Sequence, residues 1–232
     1  MKPFIKSIQI GKVESFGDSS KTNFFLKHYE TASFKKVVPL GEVTLTGFIG
    51  DEVADKESHG GEEKAIFANS YENYPHWCSF LDVAHLPFGA LAENLTISGL
   101  DETTVFLGDI HIIGGVTLQV SQPRKPCWKI ARNHNNQNFT KEIYESGLTG
   151  WYYHVLKMGT IKQGDSIEII SNEMIKISIQ EANQAFREPT EYKSTLLKIL
   201  EITSLSKNYK KSIEKRLDGT ANLRYMEIED EK

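Results

Sequence analysis

Along the first 170 residues the apolar positions come in short alternating runs broken by glycine, aspartate and asparagine. "VTLTGF" (43–48) alternates, "IHIIGGVTLQVSQ" (110–122) reads as a hairpin, and "GTIKQGDSIEII" (159–170) reads as strand–turn–strand. Successive side chains of a strand point to opposite faces. Ile110 and Ile112 are therefore expected on one face of the first hairpin arm, and Val116, Leu118 and Val120 on one face of the return arm. Gly114-Gly115 suits the tight turn between them. Local helices are expected around 69–81 and 139–147. Many short strands at this spacing predict a mainly β domain, a barrel or a sandwich.

The period changes in the last quarter of the chain. Ser178 and Glu181 have capping-box spacing. Ile179, Ala182, Ala185 and Phe186 then follow a helical stripe, as do Tyr192, Leu196, Ile199 and Leu200. Leu205, Tyr209, Ile213 and Leu217 form a third stripe, and Gly219 is the expected stop. Residues 1–170 are thus expected to form the β domain and 171–232 a small three-helix domain. Residues after about 220 are polar and expected to fray.

Composition narrows the function classes. The chain has 232 residues, a formal net charge of -4, and 39% hydrophobic and 25% charged residues. Such a surface does not suit a nucleic acid duplex, so a small-molecule partner is expected. No run approaches the ~20 apolar residues of a spanning helix, and the N-terminus has no signal-peptide core. Two cysteines, Cys78 and Cys127, make no disulfide framework. A soluble, cytoplasmic, reduced protein is expected.

Four stretches carry candidate chemistry. In "SQPRKPCWKI" (121–130), Pro123 and Pro126 stiffen the loop. Arg124, Lys125 and Lys129 surround Cys127 with positive charge, which favours thiolate, a nucleophile or soft-metal ligand. The plain alternative is a buried thiol. In "GDEVADKESHGGEEKAIFA" (50–68), Gly60-Gly61 after His59 could turn backbone N–H groups toward an anion, with Lys64 close behind. Asp51, Asp55, His59 and Cys127 are also conceivable as a zinc set, although the spacing matches no tight zinc signature. In "LAENLTISGL" (91–100), Glu93 could shuttle protons and Asn94 read a ring edge, with Leu95 entering a strand. In "SGLTGWYYHVLKMG" (146–159), Gly150 permits close backbone approach, and Trp151 and Tyr152 offer aromatic faces or core packing.

The order "GD..AD..SHGG..KA", "AENLT.SGL", "LGD", "SQPR.PC.K", "GW...VL..G", "GD.I" resembles the MOSC family, domains similar to the C-terminal part of molybdenum-cofactor sulfurases. The resemblance runs from about residue 45 to 170. The tail, ending "LSKNYKKSIEKRL", resembles the three-helix appendage of the YiiM-type subfamily. It implies a MOSC-type β-barrel with short peripheral helices that binds the molybdenum cofactor, with Cys127 as the protein thiolate on the metal. It further implies contacts from His59, Gly60, Gly61, Lys64, Asn94, Leu95, Gln122, Pro123, Arg124, Gly150, Trp151 and His154. Related members reduce N-hydroxylated compounds, including purine bases, with electrons from a flavoprotein. Proton donors would come from His59, Asp51, Glu93 and Asp109, in falling order of preference, because His59 titrates nearest neutrality. A homodimer is compatible with this reading.

Two positions depart from the family pattern. Ala92 stands where glycine is usual, and His154 where arginine is usual. If the latter position anchors an anion, His154 must be protonated to do so. The rival readings are a non-catalytic carrier of the cofactor or its sulfur, and a scaffold that has lost cofactor binding. Every motif precedes residue 171, so the site is expected to be complete without the tail.

Overall fold

The computed structural model describes residues 2–170 and 174–223, apart from the side chains of Glu57 and Ser58. The expected boundary near 171, and most of the expected frayed end, lie outside the described residues. Among the described residues, thirteen strands alternate with short helices. The strands are β1 (Phe4–Ile10), β2 (Glu14–Phe16), β3 (Tyr29–Thr31), β4 (Lys36–Val38), β5 (Leu40–Thr44), β6 (Gly47–Phe48), β7 (Ile66–Ser70), β8 (Leu95–Ser98), β9 (Ile110–Ile113), β10 (Val116–Pro123), β11 (Trp151–Lys157), β12 (Gly159–Lys162) and β13 (Ile167–Ile170). The helices are α1 (Lys56–His59), α2 (Tyr74–Phe80), α3 (Trp128–Asn133), α4 (Phe139–Ser146), α5 (Ile179–Arg187), α6 (Lys193–Glu201) and α7 (Lys207–Leu217).

Eight strands form one mixed sheet in the order β13-β9-β10-β11-β7-β8-β1-β4, beside a three-stranded sheet β12-β5-β6 and the ribbon β2-β3. β7 and β8 are parallel, and the other neighbours are antiparallel. The expected barrel does not close as a continuous ladder among the described residues. An isolated Phe4–Ser166 bridge, with the Ile167 N–H donating to Pro3 O at 2.8 Å, joins the start of β1 to the approach of β13. No described helix is long and apolar enough to cross a membrane.

The hairpin over 110–122 forms as read, with Ile113 opposite Val116 across Gly114-Gly115 and Gly114 at φ +56°. Ile110 and Ile112 do share one face, and the register decides that it is not the inward one. Leu118 lies opposite His111, and residues directly opposite share a face. The buried return-arm residues Val116 and Leu118 therefore draw Ile113 and His111 inward and leave Ile110 and Ile112 half-buried. The 159–170 segment forms strand–turn–strand as read, but its strands do not pair with each other. β12 joins β5 while β13 joins β9, so the turn between them carries the chain from one sheet to the other.

The helical stripes are where the periodicity puts them. Ser178 caps α5 in a capping box with Glu181, and Ile179, Ala182, Ala185 and Phe186 are buried. Gly219, at φ +77°, comes just after the end of α7. The buried stripes of all three helices belong to the same apolar cluster as Ile5, Leu95, Val120 and Trp151 of the sheet. Burying apolar surface stabilises by about 25 cal/mol per Å², so the helices draw stability from the sheet as well as from each other.

Candidate functional site

The Cys127 loop is aimed by the end of β10. The β10–β11 register slips between Val120 and Gln122, a bulge at Ser121, whose Oγ donates to Glu63 O at 2.7 Å and Tyr152 O at 3.2 Å. A bulge bends its strand and redirects the chain beyond it. The Arg124 N–H still donates to Gly150 O at 3.1 Å, after which the chain leaves the sheet. Pro126 precedes an extended Cys127, at φ -120° and ψ 146°, which caps α3. α3 is a helix the sequence reading did not anticipate.

Two cavities meet at this thiol. The first, of about 140 Å³, is lined by Asp51, Asn94, Ala92, Phe67, Arg124 and Lys129 among others. The second, of about 530 Å³, is lined by Gln122, Lys125, Trp128 and residues of α7. Asp55, His59, Lys64, Cys127 and Tyr152 line both. The tail therefore builds part of the site, contrary to expectation: Asn208, Tyr209, Lys211, Ser212 and Lys215 face the second lobe. It is tied there by the Ser206 hydroxyl, which donates to Gln122 Oε1 at 2.5 Å, and by the Lys207 N–H, which donates to Glu63 Oε1 at 2.9 Å.

The three cations expected around Cys127 do flank it, with Arg124 and Lys129 on the first lobe and Lys125 on the second. Their effect on the thiol is a correction. Burial raises the Cys127 pKa, and the Lys129 N–H with the Arg124 and Lys129 charges only partly offsets it. A charge leaving water loses more than distant cations return. Arg124 is 7% exposed, stacks 5.0 Å from the Phe67 ring centroid, and has an Nη1 with no partner among the described residues. A buried, unpartnered guanidinium nitrogen is costly unless a ligand completes it. Lys125 donates to Ser212 Oγ, and burial together with the Lys64 and Lys215 charges lowers its pKa to about 8.

His59 was expected to titrate near neutrality. Burial first, then Arg124 and Lys64, lower its pKa to about 4, so it is neutral at pH 7. Gly60 spends its N–H on Lys56 O at 3.2 Å, closing α1, and only Gly61 takes a positive φ, +92°. Neither glycine lines either lobe, so the expected anion cradle is not built there. Asn94 is also committed. Its Nδ2 donates to Asp51 Oδ2 at 2.8 Å and Gln9 O at 3.2 Å, and its Oδ1 accepts the Phe67 N–H at 3.2 Å. It shapes the first lobe rather than reading a ring edge. Asp51 further accepts the Gly11 N–H at 2.7 Å and Lys35 Nζ at 2.5 Å.

Other candidates fall outside the cleft. Glu93, fully buried, accepts from Tyr74 Oη at 2.5 Å, the Gly89 and Leu91 N–H groups at 3.0 Å each, and Thr96 Oγ1 at 2.9 Å. Three of these bonds fall on Oε1 and one on Oε2, and the residue lines neither lobe. Asp109 pairs with Lys176 at 3.0 Å. Leu95 and Trp151 are core residues. Gly150 does permit a close approach, but to β7: a Cβ there would sit 2.3 Å from Ala68 O. Pro123 lines a small hollow with Tyr144 and Phe186. His154 faces a separate hollow beside Glu62 and Glu63, and burial lowers its pKa, so it is neither in the cleft nor a fixed cation. No group of three or more His, Cys, Asp or Glu could hold a metal among the described residues, so the zinc set does not assemble.

Sequence reasoning passed over Phe67, Lys35 and the α7 lysines. The lysines had a signal, "KNYKKSIEK", but an exposed basic helix face carries no address until its packing is known.

The sheet delivers the thiol loop into a cation-lined cleft, the arrangement of a small-ligand-binding site. The chain belongs to the MOSC domain family, whose model matches residues 55–168. Within it, the chain groups with the YiiM-type members. YiiM of Escherichia coli (strain K12) is 32% identical over 190 residues, 80% of this chain and 84% of that protein. The crystal structure of YiiM from Geobacillus stearothermophilus matches with a TM-score of 0.76 at 28% identity, over 93% of this chain and 99% of that one. A protein named as a reductase in Gibberella moniliformis (strain M3125 / FGSC 7600) is 33% identical over 152 residues, 62% of this chain and 26% of its own length.

Proposed function

We propose that this cleft binds the molybdenum cofactor and reduces small N-hydroxylated compounds, N-hydroxylated purine bases among them, using electrons from a separate flavoprotein. The observation that carries the reading is the unpartnered Nη1 of buried Arg124 in the lobe that Cys127 closes. An anionic, metal-bearing ligand satisfies both, giving the guanidinium its acceptor and the thiol a soft cation that stabilises thiolate. Family membership and the reductase relative support it.

When bound, the cofactor supplies the two-electron chemistry of R–NHOH + 2e⁻ + 2H⁺ → R–NH₂ + H₂O. This chain supplies the rest. Arg124 and Lys129 would hold the anion in the first lobe, and Cys127 would provide the metal ligand. Tyr152 lines both lobes, and burial raises its pKa, so its Oη keeps its proton at neutral pH. Lys64 stands on the same shared wall. These two groups would hold protons where the leaving oxygen needs them, a task that neutral His59, and Glu93 and Asp109 outside both lobes, do not suit.

The test uses full-length protein from a cofactor-competent host, with molybdenum and pterin content and reduction of a hydroxylaminopurine by a chemical reductant measured together. Cys127→Ser is expected to abolish reduction while pterin binding suffers less. A Cys127→Ser protein that keeps its metal and its full rate overturns the mechanism. Wild-type protein that retains pterin and metal yet does not turn over is a carrier instead.

A further inference from the structure

We propose that the second lobe is a phosphate subsite, seating the phosphate of a nucleotide whose base reaches Cys127. The inference deepens the reading above: it makes the substrate an N-hydroxylated nucleotide rather than a free base.

The lobe's charge is one-sided. Lys64, Lys125, Lys211 and Lys215 line it, and Asp55 is the one carboxylate among its lining residues. Lys211 and Lys215 are four residues apart on α7, which puts their Cβ atoms about 5–6 Å apart on one helix face, a span that one phosphate can bridge. Lys125 reaches the same place from the thiol loop and is held there through Ser212 of α7. Three chain segments thus bring lysines to one lobe, and a lysine recognises an anion as a point charge without fixed geometry. Trp128 and Tyr152 add aromatic surface to the same lobe, the pairing of π-faces and cations that suits a base joined to a phosphate. The volume, about 530 Å³, lies within the usual range for a small-ligand site.

The cofactor's own phosphate is the other source of this chemistry. The first lobe has its own buried cation with an open valence, Arg124, and Arg124 does not line the second lobe. Two cationic groups on opposite sides of one thiol correspond to two anions, and the outer one falls to the substrate.

The probes are adenosine 5′-monophosphate and adenosine, titrated calorimetrically into the full chain. The monophosphate is expected to bind about tenfold tighter at low salt, an advantage that shrinks as salt rises. Lys211→Ala/Lys215→Ala should erase that advantage and leave adenosine binding and the melting temperature unchanged, since both lysines are exposed. With N6-hydroxyadenosine 5′-monophosphate, the double variant should raise KM about tenfold with kcat kept. Equal binding of the two probes, or a monophosphate advantage that survives the double substitution, overturns the proposal. So does loss of pterin from the double variant purified from a cofactor-competent host, which would assign the lobe to the cofactor. A lysine-dependent monophosphate preference without turnover of any N-hydroxylated compound upholds the subsite and sinks the reductase reading alone.

Discussion

Asp51→Asn separates a positioning role from a chemical one. Asp51 receives the Gly11 N–H, the Asn94 amide and Lys35 Nζ at 2.7, 2.8 and 2.5 Å. The Lys35 and Asp51 side chains are 6% and 11% exposed, so the pair is largely dry. Asparagine keeps one acceptor but points an NH₂ at groups that are themselves donors. It also leaves the Lys35 charge buried and uncompensated. Removing one partner of a buried pair costs about 3–5 kcal/mol, a large share of the ~5–15 kcal/mol that holds a domain together. Lys35→Met should cost less, because Asp51 then retains two donors. In the double variant the two losses should fall short of additive by about 1–3 kcal/mol. Urea unfolding at a common m-value measures all four corners of the cycle. The reasoning is refuted if Asp51→Asn loses less than about 1 kcal/mol, or if the losses simply add.

Three further outcomes rest on buried or strained groups. His111 has a pKa lowered to about 4 by burial, its Nδ1 pairs with Tyr153 Oη at 2.6 Å, and its Nε2 has no partner among the described residues. The unfolded imidazole takes its proton first, near pH 6.5, so stability falls as pH drops from about 6.5 to 4 and has lost about 2 kcal/mol at pH 5; His111→Gln should flatten that slope, and parallel curves for the two proteins would reject the assignment. Ala92 holds a φ of +71°, which costs a non-glycine residue about 1–2 kcal/mol. Ala92→Gly returns that less about 0.4–1 kcal/mol of chain entropy, a gain of about 2 °C in melting temperature, and a lower melting point would contradict it. In cofactor-free protein, iodoacetamide should modify Cys127 more slowly than a free cysteine at pH 8, because burial raises its pKa; faster alkylation, read by peptide mass spectrometry, would show the thiolate already formed.

Local order was open to reading wherever a residue's role is settled by its neighbours in sequence. The Gly114-Gly115 turn, the Ser178 capping box and the Gly219 stop depend on backbone conformations or hydrogen bonds spanning a few residues, so they are legible in any context. The motif order identified the family for the same reason, being a linear string. The thiol loop was legible as cationic, and Arg124, Lys125 and Lys129 do flank Cys127.

Tertiary structure decided everything that depends on desolvation or on partners distant in sequence. His59 and Cys127 carry charge-favouring neighbours in sequence terms, yet burial pushes both toward their neutral forms, because dielectric is a property of the packed surroundings. Glu93 and Asn94 look like chemistry until Tyr74, Gln9 and Asp51 consume their hydrogen bonds. The face of β9 was set by its register with β10, and the split of β12 from β13 by which sheet each could join. Most of all, the sequence alone determined that residues 207–217 would be a basic amphipathic helix. Only the packing of its apolar side on the sheet's core brought Lys211 and Lys215 to the cavity that Cys127 lines, because an amphipathic stripe specifies that a helix must bury one face and not which surface will cover it.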